Sequence, residues 1–169
     1  MDDMNLSGGT EYYLEPGYIY LSKQPTVVRT VLGSCVAVCL WDRNLRYGGM
    51  NHFLHPYTYE PEKATPRYGN VATSALVRMM EEAGCQRADI VAQVLGGGHP
   101  PAGTGYDVGE ENARVARVIL KRKGINIVSE DVGGSMGRKL VFDTGTGELV
   151  VFKVHSLRES DWFADREGR

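Results

Sequence analysis

The chain has 169 residues, a length typical of one domain, and 42% of them are hydrophobic, which is enough for a core. A formal net charge of -2 without a long basic run argues against a protein that binds nucleic acid. The apolar stretches are strand-length, well short of the roughly 20 residues of a membrane helix. The first residues, MDDMNLSGGT, do not resemble a signal peptide. The cytoplasm is therefore the expected location, without membrane insertion.

The hydrophobic pattern predicts a polar N-terminal arm (residues 1–16), then about eight strands and two helices, then a polar tail (156–169). The predicted strands are 17–21, 26–32, 35–42, 46–54, 88–95, 125–132, 138–143 and 148–154. The predicted helices are 71–83, with Asn70 as candidate N-cap, and 110–123. Because hairpins outnumber strand–helix–strand units, we expect an α+β fold. It would have stacked or mixed, mainly antiparallel sheets, with the two helices covering one face.

Residues 32–53 carry the strongest chemical signal. If strands 35–42 and 46–54 pair around a turn centred between residues 43 and 44, paired numbers add up to 87 and Cys35 lies opposite His52. Directly opposed residues have Cβ atoms roughly 4.5–5.5 Å apart on one face of the sheet. The imidazole can then deprotonate the thiol, which is how a cysteine nucleophile is made. The alternative is a small buried thiol in an apolar strand.

Neighbouring residues support this hypothesis or compete with it. Gly33 and Ser34 leave backbone N–H groups near the sulfur that can hold an oxyanion. Asn51 is either a polar contact near the site or a strand hydrogen bond, and the second is the commoner case. A zinc site is not expected, because the odd spacing of His52 and His55 places them on opposite faces of a strand. Neither a metal nor another cofactor is expected.

The motifs LGSCVAVCLWD and GGMNHFLHP resemble the signature of the CheD family, the chemoreceptor glutamine deamidases of bacterial chemotaxis. The resemblance continues through RYGNVATSALVRMM, GGGHPP, VGEENARVARVILKRKGI and SEDVGGSMGRKLVFDTGTGEL. It implies a single CheD-like deamidase domain at residues 17–155. The implied reaction is hydrolysis of particular glutamine side-chain amides to glutamate, with release of ammonia, on the cytoplasmic helices of methyl-accepting chemotaxis receptors.

The resemblance also assigns roles to individual residues. The nucleophile of the family falls on Cys35 and its histidine on His52. The family has a threonine shortly before the cysteine, for which Thr30 is the best match, although Arg29 competes for the position. On one unbroken strand Thr30 and Cys35 face opposite ways, so Thr30 can serve only if residues 33–34 break the pleat.

Two other functions stay open. CheD-like proteins also bind a chemotaxis phosphatase called CheC, so the alternative is an adaptor that docks a CheC-type phosphatase, with catalysis secondary. A thiol hydrolase for a small metabolite is a more distant reading, favoured by a deep enclosed pocket. Receptor cytoplasmic domains are the expected substrate partners, and a CheC-type phosphatase is a second expected partner.

Overall fold

The computed structural model describes residues 10–100 and 105–162, which contain nine strands and three α-helices. The strands are β1 (Thr10–Tyr13), β2 (Ile19–Ser22), β3 (Thr26–Leu32), β4 (Val36–Asp42), β5 (Gly48–Asn51), β6 (Ile90–Gly96), β7 (Asn126–Val132), β8 (Gly137–Asp143) and β9 (Leu149–Val154). The helices are α1 (Gly69–Glu82), α2 (Val108–Arg122) and α3 (Glu159–Trp162). No helix in these ranges is long and apolar enough to cross a membrane.

The strands form two sheets that stack on each other. One has four strands in the order β1-β3-β8-β9, and the other has five in the order β2-β5-β4-β6-β7. Parallel pairing occurs between β1 and β3 and between β6 and β7. The remaining pairs are antiparallel. The expected α+β fold with mainly antiparallel stacked sheets is confirmed.

The five-stranded sheet is covered on both faces, which explains the continuous apolar sequence of β4. Val36, Val38 and Leu40 belong to the core formed with α1 and α2. Ala37 and Cys39 belong to the core that faces the four-stranded sheet. Successive side chains of a strand point to opposite faces, so a strand buried on both sides is apolar at every position. The two long helices therefore cover one face, as the sequence pattern predicted.

Two elements lie in segments that the sequence assigned to an arm and a tail. β1 pairs with β3, and Leu14, which follows it, is fully buried. Helix α3 contacts β3 from the segment expected to be a polar tail. The rest of the arm (1–9), the rest of the tail (163–169) and part of the predicted glycine-rich loop (101–104) lie outside the described residues.

Helix α1 begins before its predicted start, and Asn70 is not its N-cap. Tyr68 holds the N-cap position without a side-chain capping bond. Asn70 lies within the first turn, where its amide accepts a hydrogen bond from Thr58 N (3.1 Å) and donates one to Thr58 O (2.9 Å). The predicted cap therefore ties the preceding loop to the helix instead. Helix α2, in contrast, has a true cap, because the carboxylate of Asp107 accepts from Glu110 N.

Candidate active site

Strands β4 and β5 position the candidate site in a register that differs from the predicted one. Cys39 lies opposite Met50, so paired numbers add up to 89 rather than 87. The difference arises in the turn. The carboxylate of Asp42 accepts from the N–H groups of residues 44 and 45 (2.8 and 2.9 Å), and Arg46 takes a left-handed conformation with φ of 59°. These contacts form a four-residue loop where a two-residue turn was expected.

The altered register keeps Cys35 and His52 on one face, because pairing is displaced by two residues. The isolated bridge between Val36 and Phe53 has the same register. In this register His52 lies across from Ala37. Cys35 lies two residues before Ala37, immediately ahead of β4. Cys35 packs with the core between the two sheets. The predicted direct opposition is wrong, whereas the shared face is correct.

Thr30 meets His52 from the opposite sheet and sets its tautomer. Its Oγ1 lies 2.8 Å from Nδ1 of His52 and donates its proton to Leu14 O at 2.8 Å. Because the hydroxyl proton of Thr30 is bound to Leu14 O, Oγ1 can only accept a hydrogen bond from Nδ1–H of His52. The lone pair of the imidazole is then on Nε2, which is the basic nitrogen. Nε2 is buried without a hydrogen-bond partner in the described part of the chain. Arg29, the competing match, pairs instead with Glu11 at the surface (3.3 Å).

The condition set for Thr30 is met, because the chain leaves β3 before residues 33–34 and no unbroken strand joins Thr30 to Cys35. Strand β3 ends at Leu32 in the four-stranded sheet, and β4 begins at Val36 in the five-stranded sheet. Residues 33–35 carry the chain from one sheet to the other. The two side chains can therefore face the same gap from opposite layers.

The loop at residues 33–35, here called the nucleophile loop, is held through its carbonyl groups. Gly98 N donates to Gly33 O and Gly97 N to Cys35 O, both at 2.9 Å. Gly97 has a φ of +65°, a conformation that favours glycine. No described residue accepts a hydrogen bond from the N–H of Ser34 or from the N–H of Cys35. These two N–H groups are the candidate oxyanion donors.

Asn112 is a residue of this region that sequence reasoning missed. It is fully buried on α2, and its Nδ2 donates to Ser34 O (3.0 Å) and Leu54 O (3.1 Å). It therefore joins the nucleophile loop to the segment that follows the imidazole. A signal was present in the sequence, since Asn112 shares a helical row with Ala116, which is also buried. A polar residue on an apolar face needs a partner.

We expect Asn112→Asp to destabilise the protein more than Asn112→Ala. Alanine leaves the partly buried carbonyl groups of Ser34 and Leu54 without this donor, which lowers the free energy of unfolding by about 1–3 kcal/mol. A carboxylate adds charge repulsion against the same two oxygens. Denaturant unfolding followed by circular dichroism measures both, with the exposed Lys121→Ala on the same helix as control. An aspartate variant as stable as the alanine variant would contradict the donor role of the amide.

Asn51 makes a strand hydrogen bond and faces away from the thiol. Its Oδ1 accepts from Val38 N at 2.8 Å, and the residue is fully buried. It precedes His52 on the strand, so the two side chains point to opposite faces. Its contacts are those of a structural residue on the helix side of the sheet.

Burial leaves both candidate reactive groups uncharged at neutral pH. It raises the pKa of the Cys35 thiol to about 11, against smaller lowering effects of its own N–H and the guanidinium of Arg67. Burial lowers the pKa of His52 to about 3. An uncharged imidazole can act as a general base while a thiol attacks, without a preformed ion pair. Cys39 is 1% exposed, and burial raises the pKa of its thiol further.

Helix α3 lies over the same place. The indole of Trp162 and the imidazole of His52 have ring centroids 6.0 Å apart at an angle of 50°. Two indole atoms lie 3.8 Å from the position that a Cβ on Gly33 would take. No sequence pattern marked Trp162, because it meets these residues across more than a hundred positions of chain.

Comparison with protein families gives a match to the model described as CheD chemotactic sensory transduction, over residues 56–153. This range begins just after His52, whereas similar curated proteins align over most of the chain. A probable chemoreceptor glutamine deamidase CheD of Sulfurimonas denitrificans is 42% identical over 142 residues, covering 82% of this chain and 91% of that protein.

Two further relatives extend the comparison. The probable chemoreceptor glutamine deamidase CheD 1 of Anaeromyxobacter dehalogenans is 43% identical over 142 residues, which are 83% of this chain and 82% of that protein. A probable chemoreceptor glutamine deamidase CheD of Vibrio cholerae is 32% identical over 163 residues, with coverage of 86% and 69%. A solved DUF152 protein of Neisseria meningitidis aligns with a TM-score of 0.45 at 13% identity, over 75% of this chain and 65% of that protein.

Proposed function

Because the chain belongs to the CheD family, and is thereby a protein-glutamine glutaminase that modifies chemoreceptors, we propose that Cys35 is its nucleophile and His52 its general base. The observation that carries this proposal is the contact of Nδ1 of His52 with Oγ1 of Thr30, whose own proton goes to Leu14 O. Thr30 holds Nδ1–H, so the free lone pair is on Nε2, and the ring shares a face with the thiol. A base needs this lone pair to remove the thiol proton.

The first half of the reaction forms a thioester and releases ammonia. As the sulfur of Cys35 attacks the side-chain carbonyl carbon of glutamine, Nε2 of His52 takes the thiol proton. The tetrahedral oxyanion accepts hydrogen bonds from the N–H groups of Ser34 and Cys35. The carbon–nitrogen bond then breaks, and the imidazolium gives its proton to the departing nitrogen, which leaves as ammonia.

The second half restores the thiol. A water molecule attacks the thioester carbon while Nε2 of His52 takes one of its protons. The carbon–sulfur bond breaks, the sulfur recovers a proton from the imidazolium, and a glutamate side chain leaves. The sum is one glutamine amide and one water converted to one glutamate and one ammonia, without a cofactor.

The proposed substrates are particular glutamines on the cytoplasmic helices of methyl-accepting chemotaxis receptors, which places the protein in the cytoplasm. Mass spectrometry of a receptor cytoplasmic fragment incubated with the protein tests this, since each conversion of glutamine to glutamate adds ~1 Da. In water enriched in heavy oxygen, the new carboxylate must carry one solvent oxygen. A fragment whose mass does not change would overturn the proposed reaction.

We expect Thr30→Val to lower kcat by about 10- to 100-fold, because the side chain keeps its shape but no longer accepts from Nδ1–H. Without that acceptor, His52 can carry its proton on Nε2, which leaves no lone pair there for the thiol proton, and the imidazole ring can rotate. The proposed role is positioning, so kcat should fall with little change in KM, and Thr30→Ser should restore most of the rate. A serine variant as slow as the valine variant would contradict the role of the hydroxyl.

Docking of a CheC-type phosphatase stays a prediction and is the second proposed interaction. Binding that is unaffected by Cys35→Ala would make it independent of catalysis. Titration of the alanine variant with such a phosphatase, followed by calorimetry, measures this directly.

A further inference from the structure

Helix α3 lies against the ring of His52, which the proposed reaction must expose, and beside the loop that carries Cys35. His52 is 0% exposed, although its Nε2 has to exchange protons with a thiol, an amide nitrogen and a water molecule. Trp162 lies against its ring and over Gly33 in the nucleophile loop. A glutamine side chain that approaches Cys35 beside Gly33 would therefore meet the indole.

The segment that carries Trp162 is held by few contacts. Among residues 10–100 and 105–162, one ion pair joins this segment to the sheets, between Asp161 and Lys139 of β8 at 3.1 Å. The other oxygen of Asp161 accepts from Arg158 N, within the segment itself. Leu157 packs beside Gly137 at the start of β8. A partly exposed ion pair adds little stability, so local opening of such a segment is easy compared with unfolding.

Charge indicates what can replace this segment. When Asp161 leaves, the ammonium of Lys139 loses its partner at the edge of the surface that residues 157–162 cover, here called the groove. A segment that carries a carboxylate restores the pair, and an apolar side chain can take the place of the indole. The groove thus fits a helical segment in which a glutamine is accompanied by an acidic and an apolar residue.

We infer that residues 157–162 occupy the groove in which the substrate helix binds, with Trp162 in the place of the substrate glutamine. The free protein is then in competition with its own C-terminal helix, and an acidic amphipathic substrate helix displaces it. This inference rests on the proposed function for the identity of the substrate, but not for the position of the helix.

The test is the rate at which iodoacetamide alkylates Cys35, measured by mass spectrometry with fragment ions that separate Cys35 from Cys39. Trp162→Ala should raise this rate by about tenfold, because thiol reactivity follows access. Asp161→Asn, which loosens the ion pair and leaves the indole intact, should raise it by about threefold. Leu45→Ala, at an exposed apolar residue in the loop between β4 and β5, serves as control and should leave the rate unchanged.

A second measurement separates displacement from substrate contact. If α3 competes with the substrate, Trp162→Ala lowers the apparent KM for a receptor fragment. A raised KM would mean that the indole binds the substrate, and this result would overturn the inference. Wild-type alkylation rates in both α3 variants would overturn it as well.

These outcomes are distinct from a failure of the proposed function. Alkylation requires no receptor and no turnover, so a protein that fails to deamidate receptors can still show the effect of α3. Conversely, wild-type alkylation in both variants leaves the roles of Cys35 and His52 untouched. Thermal melts show whether Trp162→Ala unfolds the protein. If it does, the alkylation rate of Asp161→Asn, which keeps the indole, decides the test.

Discussion

Cys35→Ala is expected to reduce ammonia release from a receptor fragment by at least about 10⁴-fold, because no other group can form the thioester. The fold should persist. The side chain is partly exposed, and no side chain in the described part of the chain makes a hydrogen bond with its sulfur. A coupled ammonia assay measures the loss, and thermal unfolding measures the fold. Wild-type ammonia release by this variant would remove the proposed mechanism.

The chain provides a matched control four residues further on. Cys39 faces the same gap between the sheets but is 1% exposed. Cys39→Ala should leave the rate near that of the wild type and lower the free energy of unfolding by about 1 kcal/mol, since it opens a small cavity in the core. The two cysteines should thus show opposite patterns, one losing activity and the other losing stability.

His52→Gln is expected to lower kcat by about 10³-fold, since an amide cannot take up the thiol proton. Glutamine retains a hydrogen-bonding group that can reach Thr30, which limits damage to the fold. The same ammonia assay measures the effect, with iodoacetamide labelling of Cys35 to confirm that the thiol is still present and accessible.

The same variant should also change how stability depends on pH. Folded His52 stays neutral down to a pKa of about 3, whereas the unfolded chain takes up a proton below the ordinary value of 6.5. Protons therefore favour the unfolded state, and stability that is present above pH 6.5 is lost as the pH falls. Between pH 7 and pH 5 the wild type should lose about 2 kcal/mol more than His52→Gln. Equal losses would show that His52 is not buried in neutral form.

The sequence predicted the shared face of Cys35 and His52, although the turn was assigned incorrectly. Strand parity survives a displacement of two residues, so the prediction was robust to that error. The error itself came from Asp42 and Arg46, which together form a longer loop than the local pattern DRNL indicates. Loop length depends on which backbone N–H groups a side chain such as Asp42 binds. Several polar residues in this stretch could have made such hydrogen bonds, so the pattern alone did not determine the loop length.

Contacts between distant segments were beyond a local reading. Thr30 and His52 meet because β3 and β5, the strand that His52 follows, lie in different sheets, and no periodicity within either strand reveals that. Asn112 finds its two acceptors at separations of 78 and 58 residues. Trp162 lies in a segment whose polar composition predicted a tail. In each case the residue can be singled out from the sequence, but the residue that it contacts cannot. That contact depends on how the sheets and helices pack on each other.

The passage of the chain between sheets at residues 33–35 has a consequence for how the protein loses activity. The thiol and the imidazole belong to one layer, and the hydroxyl that fixes the imidazole belongs to the other. Partial denaturation that separates the layers dismantles this arrangement even if each sheet keeps its own hydrogen bonds. Catalytic turnover is therefore a reporter of layer association, and it should disappear before the circular dichroism of the strands does.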